Sequence, residues 1–356
     1  MAVLLTGGAA VASQGWPAPL PGDTGPSSTP RAAQGSVEAD HAPETSVPPR
    51  VLHVRAADAA SEARLKAARE ERARLAREVE KVARSRERER ERKAQQKRER
   101  AAASPRSTFR VGTVNVLGDS HTRPGGNKHG FRPGPARMVD LVSILNNQNL
   151  QVVGLQEFER PQKAAFNRLA GGWDVFTGTE RGRDAIAYRT DTWEYVEGGT
   201  GTIPYFNGNP VPMPWVTLRH RETARLVSFV SIHNPTSNRR RGNNVRHRVE
   251  ATKREIAMVR SLAGGGDPVL LLGDFNERTQ AFCMVTSGGD IVAANGGSRG
   301  GRCAPPPSIG IDWIFGTADI AFSEYRRHQD ARMRRTTDHP LIIARVTVTE
   351  PLPGAG

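Results

Sequence analysis

The 356-residue chain predicts an α+β fold, a domain of interspersed helices and strands reached through a long charged helix. Three observations carry that prediction. Short apolar runs recur between about residues 109 and 349, and most of them end on a polar side chain. Helical spacing appears between some of these runs but not all, which argues against a doubly wound parallel sheet. The clearest run is Val269, Leu270, Leu271 and Leu272, uninterrupted as in a strand buried on both faces, and it stops at Gly273-Asp274-Phe275-Asn276. If the strand continues through this tetrad, its two-residue period puts Asp274 and Asn276 on one face. The same composition also suits a turn.

Residues 1–55 are rich in Pro, Gly, Ser and Ala and lack periodicity, which reads as disorder. Within them, residues 1–12 resemble the apolar end of a signal peptide but lack its positive n-region. Export therefore stands beside a cytoplasmic location as an open alternative. Residues 56–104 change composition completely. Between 61 and 100 there are 16 Lys/Arg against nine Glu, a net +7 that is half of the chain's excess of +14. Ala, Arg, Glu and Lys favour helix, and Glu–Arg pairs recur at i,i+3 and i,i+4. Leu65, Leu75, Val79 and Val82 supply a thin apolar stripe. A mostly exposed helix follows, serving as a spacer, as an arm for an anionic partner, or as a weak coiled coil for oligomerisation.

The domain expected over residues 107–349 opens with a strand through Phe109, Val111 and Asn115, then a glycine-rich loop to Gly130. Pro135 starts a helix on which Met138, Leu141, Val142 and Leu145 share a face. Val152 to Glu157 is the next strand, again finishing on polar groups, and a short helix over about 161–169 follows. Strands over 184–189, 215–218 and 225–232 lead to His233 and the basic loop 239–248. A helix to about 262, the strand at 268–272, a loosely patterned stretch to 307, and strands at 310–315 and 341–349 complete it. Residues 350–356 read as a disordered tail.

A net charge of +14 and a pI near 10.7 favour an anionic partner: nucleic acid, phospholipid headgroups or a polyphosphate. Cys283 and Cys303 are too few for a thiolate zinc cluster or a disulfide scaffold, and one bridge or two free thiols are equally open. No run of 18 apolar residues is present, which argues against a transmembrane helix.

Six strand ends or following loops carry chemically useful groups: Asn115, Glu157, His233, Asp274 with Asn276, Asp312, and Asp338 with His339. Brought together, they form an oxygen-rich set suited to Mg2+, Mn2+ or Ca2+. A carboxylate-held cation beside imidazoles suits phosphoester cleavage. Asp312 lies inside the apolar stretch Ile311-Asp312-Trp313-Ile314, where a carboxylate needs a partner, and orienting an imidazole is a natural use of it. Glu157, at a strand mouth, is the more direct metal ligand.

In order, Thr113-Val114-Asn115, Gln156-Glu157, Ser231-Ile232-His233, Gly273-Asp274-Phe275-Asn276, Ile311-Asp312-Trp313-Ile314 and Thr337-Asp338-His339-Pro340 resemble the endonuclease/exonuclease/phosphatase superfamily. Its members include DNase I-type deoxyribonucleases, abasic-site endonucleases, neutral sphingomyelinases and inositol polyphosphate phosphatases. The resemblance implies a four-layer α/β/β/α sandwich with two mixed β-sheets packed face to face and the site at one end. It implies metal ligation by Glu157 with Asn115, and Asp338 close to a metal. It implies that Asp274 and Asn276 position water and phosphate, that Asp312 pairs with His339, and that His233 meets the phosphate or leaving oxygen.

Arg239, Arg240, Arg241, Arg246 and Arg248 follow His233 closely and favour a polyanionic phosphoester, foremost DNA. A sphingomyelinase- or phospholipase-like phosphodiesterase acting at an anionic lipid surface, an inositol-type phosphatase, and a non-catalytic binding module on the same fold are the alternatives.

Overall fold

A computed structural model describes residues 52–103 and 106–349. The expected signal-like segment and the terminal disorder at either end lie outside the described residues. Helix α1 (Leu52–Ala103) starts within the segment expected to be disordered, because no Gly or Pro interrupts helix-forming sequence from Leu52 onward. From residue 61 to 93 its side chains are exposed except half-buried Glu89, which pairs with Arg92 at 2.9 Å and Lys93 at 3.5 Å. Among the described residues no helix is long and apolar enough to cross a membrane.

Strand β1 (Arg106–Asn115) leads through helices α2 (Asp119–Thr122) and α3 (Gly134–Asn147) to β2 (Val152–Gln156). Helix α4 (Arg160–Leu169) then precedes β3 (Trp173–Phe176), β4 (Ala185–Arg189), β5 (Trp193–Pro204), β6 (Pro210–His220) and β7 (Leu226–His233). Helix α5 (Val245–Ala263) connects to β8 (Val269–Asp274), followed by α6 (Thr279–Thr286), β9 (Ile291–Ala293) and β10 (Asp312–Thr317). Strand β11 (Ile320–His328), α7 (Ala331–Thr336) and β12 (Leu341–Thr349) close the chain. Two six-stranded sheets result, ordered β11-β12-β1-β2-β4-β3 and β5-β6-β7-β8-β10-β9.

Each sheet is antiparallel except for one parallel pair, β1 with β2 and β7 with β8, and each such pair is joined through a helix, α3 or α5. Phe109, Val111, Val152 and Ile186 of one sheet meet Phe229, Leu270, Leu272 and Ile314 of the other in a shared core. On the outer faces, Val114, Val153 and Leu155 pack under α3 and α4, while Val230, Leu271 and Phe315 pack under α5 and α6. The arrangement is the expected four-layer sandwich of two mixed sheets.

Strands β5 and β11 are absent from the sequence reading. Both are edge strands with mostly exposed or half-buried side chains, so neither carries an apolar run. The stretch read as loosely patterned contains α6 and β9. Cys283 of α6 is bonded to Cys303, resolving the open alternative in favour of a bridge.

Arg137 is fully buried on α3 and fastens the ends of two segments. It donates to Val116 O at 2.6 Å, to Thr336 O at 2.5 Å and to Leu117 O. Burial lowers its pKa to about 10, which keeps it charged at neutral pH.

Glu255 of α5 is fully buried, and no hydrogen bond of good geometry reaches either carboxylate oxygen. Burial raises its pKa from 4.5 to about 8, with Asn234 and Thr252 opposing weakly. The folded chain therefore holds a proton that the unfolded chain has released, and this contribution to stability is complete below pH 4.5 and lost as pH rises toward 8. Urea unfolding should show wild type losing stability relative to Glu255→Gln by up to about 1.4 kcal/mol per pH unit between pH 5 and 8. Parallel pH profiles would contradict the burial argument. For the disulfide, closure of a 20-residue loop predicts about 3 kcal/mol of stabilisation. Reduction, or Cys283→Ser with Cys303→Ser, should lower Tm by roughly 6–12 °C, and a change under about 2 °C would count against it.

Candidate active site

The two-residue period of each strand sets the site. Along the inner face of β1 run Phe109, Val111, Thr113 and then Asn115, apolar at one end and polar at the other. Strand β7 repeats the pattern with Val227, Phe229, Ser231 and His233, and β8 with Leu270, Leu272 and Asp274. Register aligns His233 with Asp274 in the parallel pair, and Asp312 with Asp274 across the antiparallel one. At Gly273 the backbone of β7 is so close that a Cβ would lie 2.2 Å from Ile232 O, hence the glycine.

Asn115 bridges the sheets. Its Nδ2 donates to Glu157 Oε1 at 3.1 Å and to Asp274 Oδ2 at 3.2 Å, while its Oδ1 accepts from Leu117 N at 3.0 Å. Glu157 follows β2 with φ of 55°, a left-handed conformation that turns its side chain toward the cleft. Its Oε2 accepts from Gly118 N at 2.8 Å. Burial would raise its pKa, but nearby His233, the Gly118 N–H, Asn115 and His121 outweigh that and hold it at about 2.

The tetrad at the end of β8 departs from the strand expectation. The strand stops at Asp274, and Asn276 has φ of 48°, so a tight turn rather than strand periodicity brings the two side chains together. Asn276 N donates to Asp274 Oδ1 at 2.8 Å, and Asn276 Nδ2 donates to Asn234 O at 2.8 Å. Asp274 is 1% exposed, and burial together with adjacent Asp312 pushes its pKa up.

Asp312 and His339 are paired, with His339 Nδ1 at 2.9 Å from Asp312 Oδ1. Burial opposes charging of His339, but Asp312, Asp274 and Asp338 prevail and raise its pKa to about 10. Its Nε2 lies 3.8 Å from Asp274 Oδ2, and His233 Nε2 lies 3.5 Å from the same oxygen. Burial lowers the pKa of His233. Two imidazoles thus flank one carboxylate, one favouring the charged form and the other the neutral form. Asp274, Asp312 and His339 each offer a ligand atom within 4.8 Å of the others and could hold an ion. Asp338 lines the same cleft, paired with Lys128 Nζ at 2.6 Å.

These groups, apart from Asp312, which stands behind His339, line a cleft of about 330 Å³. Arg240 and Arg241 reach it, and Arg241 stacks over the Phe206 ring at 4.4 Å. The other expected arginines do not line it. Arg248 is a correction: it is 7% exposed and donates to Pro235 O at 3.0 Å and Ser237 Oγ at 2.9 Å, bracing the segment after His233 instead of presenting charge. Arg246 lies on α5 rather than in a loop, with its Nε 3.3 Å from the His247 ring, and Arg239 is exposed outside the cleft. The structure adds His121, Asn127, Lys128, Arg183 and Tyr205 to the lining. His121 sits on α2 and the next two in the loop that follows it, where nothing in local composition separates them from ordinary surface residues.

A model of the Endonuclease/Exonuclease/phosphatase family matches residues 112–339. No curated protein matches the chain. Among solved structures, a family protein from Bacteroides thetaiotaomicron is 17% identical with a TM-score of 0.54, covering 69% of this chain and 100% of that one. A mannosyl-6-phosphatase from Bacteroides thetaiotaomicron is 18% identical with a TM-score of 0.50, covering 67% and 98%. A humanized D. rerio TDP2 is 15% identical with a TM-score of 0.51, covering 67% and 98%. At these identities the structures share the fold, while the family match spans every residue of the site from Asn115 to His339, and the chain belongs to the Endonuclease/Exonuclease/phosphatase family.

Proposed function

We propose that the chain is a divalent-cation-dependent phosphodiesterase acting on nucleic acid, most directly DNA, by attack of an activated water. The observation that carries the reading is the convergence of Glu157, Asp274, His233 and the Asp312–His339 pair on one cleft rimmed by Arg240, Arg241 and Arg183. The donor set fits a hard cation: Glu157 is held ionised, and Asp274, Asp312 and His339 each offer a ligand atom within 4.8 Å of the others. Glu157 with Asn115, and Asp338 beside them, are the assigned ligands, with Mg2+ the first expectation and Mn2+ or Ca2+ as substitutes. Bound there, the cation supplies neutralisation of the charge that develops on the phosphoryl group.

The chain's own groups do the rest. Asp274, oriented by the Asn276 N–H and Asn115, accepts a proton from the attacking water as its oxygen bonds to phosphorus. Protonated His339, pinned by Asp312, donates through Nε2 to a non-bridging oxygen. Asn276 holds the phosphate beside it, and as the opposite P–O bond breaks the leaving oxygen, which His233 faces, takes a proton from solvent. Arg240 and Arg241 extend contact along a polyanion without reading bases.

The lipid alternative wants an apolar loop directed outward. Tyr205 instead packs its ring 5.6 Å from His233, and Phe206 lies under Arg241, so this aromatic pair faces the cleft. The mannosyl-6-phosphatase neighbour supports a phosphomonoester as the second reading.

Supercoiled plasmid, single-stranded DNA, sphingomyelin and a sugar phosphate, each with Mg2+ and with EDTA, separate these readings. Plasmid nicking abolished by EDTA is expected. Glu157→Gln, His233→Ala, Asp274→Asn and His339→Ala should each lower turnover at least about 100-fold with the fold retained by circular dichroism. Near-wild-type rates in two of the four would overturn the assignment. Arg240→Ala with Arg241→Ala should weaken DNA binding and reduce the slope of log affinity against log salt by about 2, and an unchanged slope would remove both arginines from the phosphate path.

A further inference from the structure

A second, smaller pocket opens beside His233. It holds about 120 Å³ and shares Arg183, Tyr205 and His233 with the main cleft. The two differ in character. Polar groups dominate the main cleft, whereas Tyr205, Val211 and Pro212 give the side pocket a mainly apolar lining. An apolar wall offers a phosphate nothing in exchange for its hydration, so the pocket suits the organic part of a substrate. His233 faces the leaving oxygen in the reading above, which puts that part on the leaving side of the scissile bond.

Both sheets build the walls. On one side, Val211 and Pro212 of β6 pair with Ile203 and Thr202 of β5, and Ile203 is fully buried in the core under α5. Tyr205 N donates to Asn209 O at 2.8 Å and closes the hairpin tip, and the Tyr205 ring meets His233 edge to face at 5.6 Å. On the other side, Arg183 and Asp184 lead into β4. Phe158 N donates to Arg183 O at 2.6 Å, and the Arg183 guanidinium lies 2.7 Å from Glu159. Asp184 is 6% exposed, and its Oδ1 has no hydrogen-bond partner among the described residues. A buried oxygen of this kind leaves a polar demand that a donor on the occupant meets.

Size narrows the occupant. A closed apolar cavity of about 150 Å³ holds one benzene ring, so 120 Å³ open on one side suits a single six-membered ring and not the fused rings of a purine. We propose that this pocket is a leaving-side subsite for a pyrimidine base, walled by Tyr205, Val211 and Pro212, with Asp184 accepting from the ring N–H of thymine or the amino group of cytosine. A base lodged there has left its stack and its pairing partner, so a single strand is cleaved faster than a duplex. The inference rests on the nuclease reading of the cleft.

The test uses the full chain with Mg2+ and single-stranded oligonucleotides that carry one ordinary phosphodiester among phosphorothioate linkages. The residue on each side of that linkage is varied in turn among dC, dT, dA, dG and an abasic tetrahydrofuran. On one side only, pyrimidines should raise kcat/KM at least about tenfold over the abasic residue and over either purine. Difluorotoluene in place of thymine keeps the shape but lacks the N–H, and should cost about fivefold. Val211→Trp fills the pocket and should bring the pyrimidine substrate down to the abasic one. Val211→Met, a smaller filling, should move it in the same direction, which keeps the test decisive if Val211→Trp fails to fold. Equal rates whatever the residue on either side, or a purine preference, overturn the subsite while leaving the nuclease reading intact. Absence of Mg2+-dependent cleavage of every oligonucleotide overturns that reading and the subsite with it.

Discussion

The site depends on one buried amide that spans two sheets. Asn115 ends β1 in one sheet, and its Nδ2 reaches both Glu157, just past β2 of that sheet, and Asp274 of the other. Two carboxylates from different sheets would repel at this distance without a shared donor. Beneath it, Gln156 Nε2 donates to Ser231 Oγ at 3.1 Å and to Thr113 Oγ1 at 3.1 Å, a second polar crossing within the shared core. These crossings add directional polar contacts between two faces otherwise joined by apolar packing.

Strand periodicity then accounts for why the polar groups arrive together. Each inner row is apolar at one end and polar at the other, in β1, β7 and β8 alike. Packing the apolar parts face to face places the polar ends at one edge, where loops rather than the opposing sheet cover them. Hydrophobic burial thereby positions the chemistry on rigid elements. The two left-handed residues, Glu157 and Asn276, lie immediately beyond strand ends, where the backbone must leave the sheet while its side chain stays at the cleft. Arg137 and Thr337 complete the frame. The first fastens Val116, Leu117 and Thr336, and the second donates to Asn115 O at 2.7 Å while accepting from His339 N at 3.3 Å.

The charge arrangement within the cleft is uneven. Asp312 commits His339 to the charged form, whereas burial keeps His233 biased to neutral, although both imidazoles approach the same oxygen of Asp274. Environment, not residue type, makes two histidines different reagents. The rim adds Arg183, Arg240, Arg241 and Lys128, which keeps the approach to an acidic floor positive.

By itself the sequence determined the α+β class and most central strands, because buried strands must be apolar and their ends must not be, while the sandwich was implied by the family resemblance of its motifs. It also determined which polar groups end those strands, and the order of the six motifs marked their company. The edge strands β5 and β11 escaped because a strand with solvent on its faces needs no apolar pattern. Only the tertiary structure decided that Arg248 turns inward under the segment after His233, since a guanidinium in sequence does not reveal whether carbonyls await it. It likewise decided that Cys283 meets Cys303 and that His121 faces Glu157, contacts whose partners are 20 and 36 residues away in the chain. Local composition records what a residue can do, and the packing of distant segments decides what it faces.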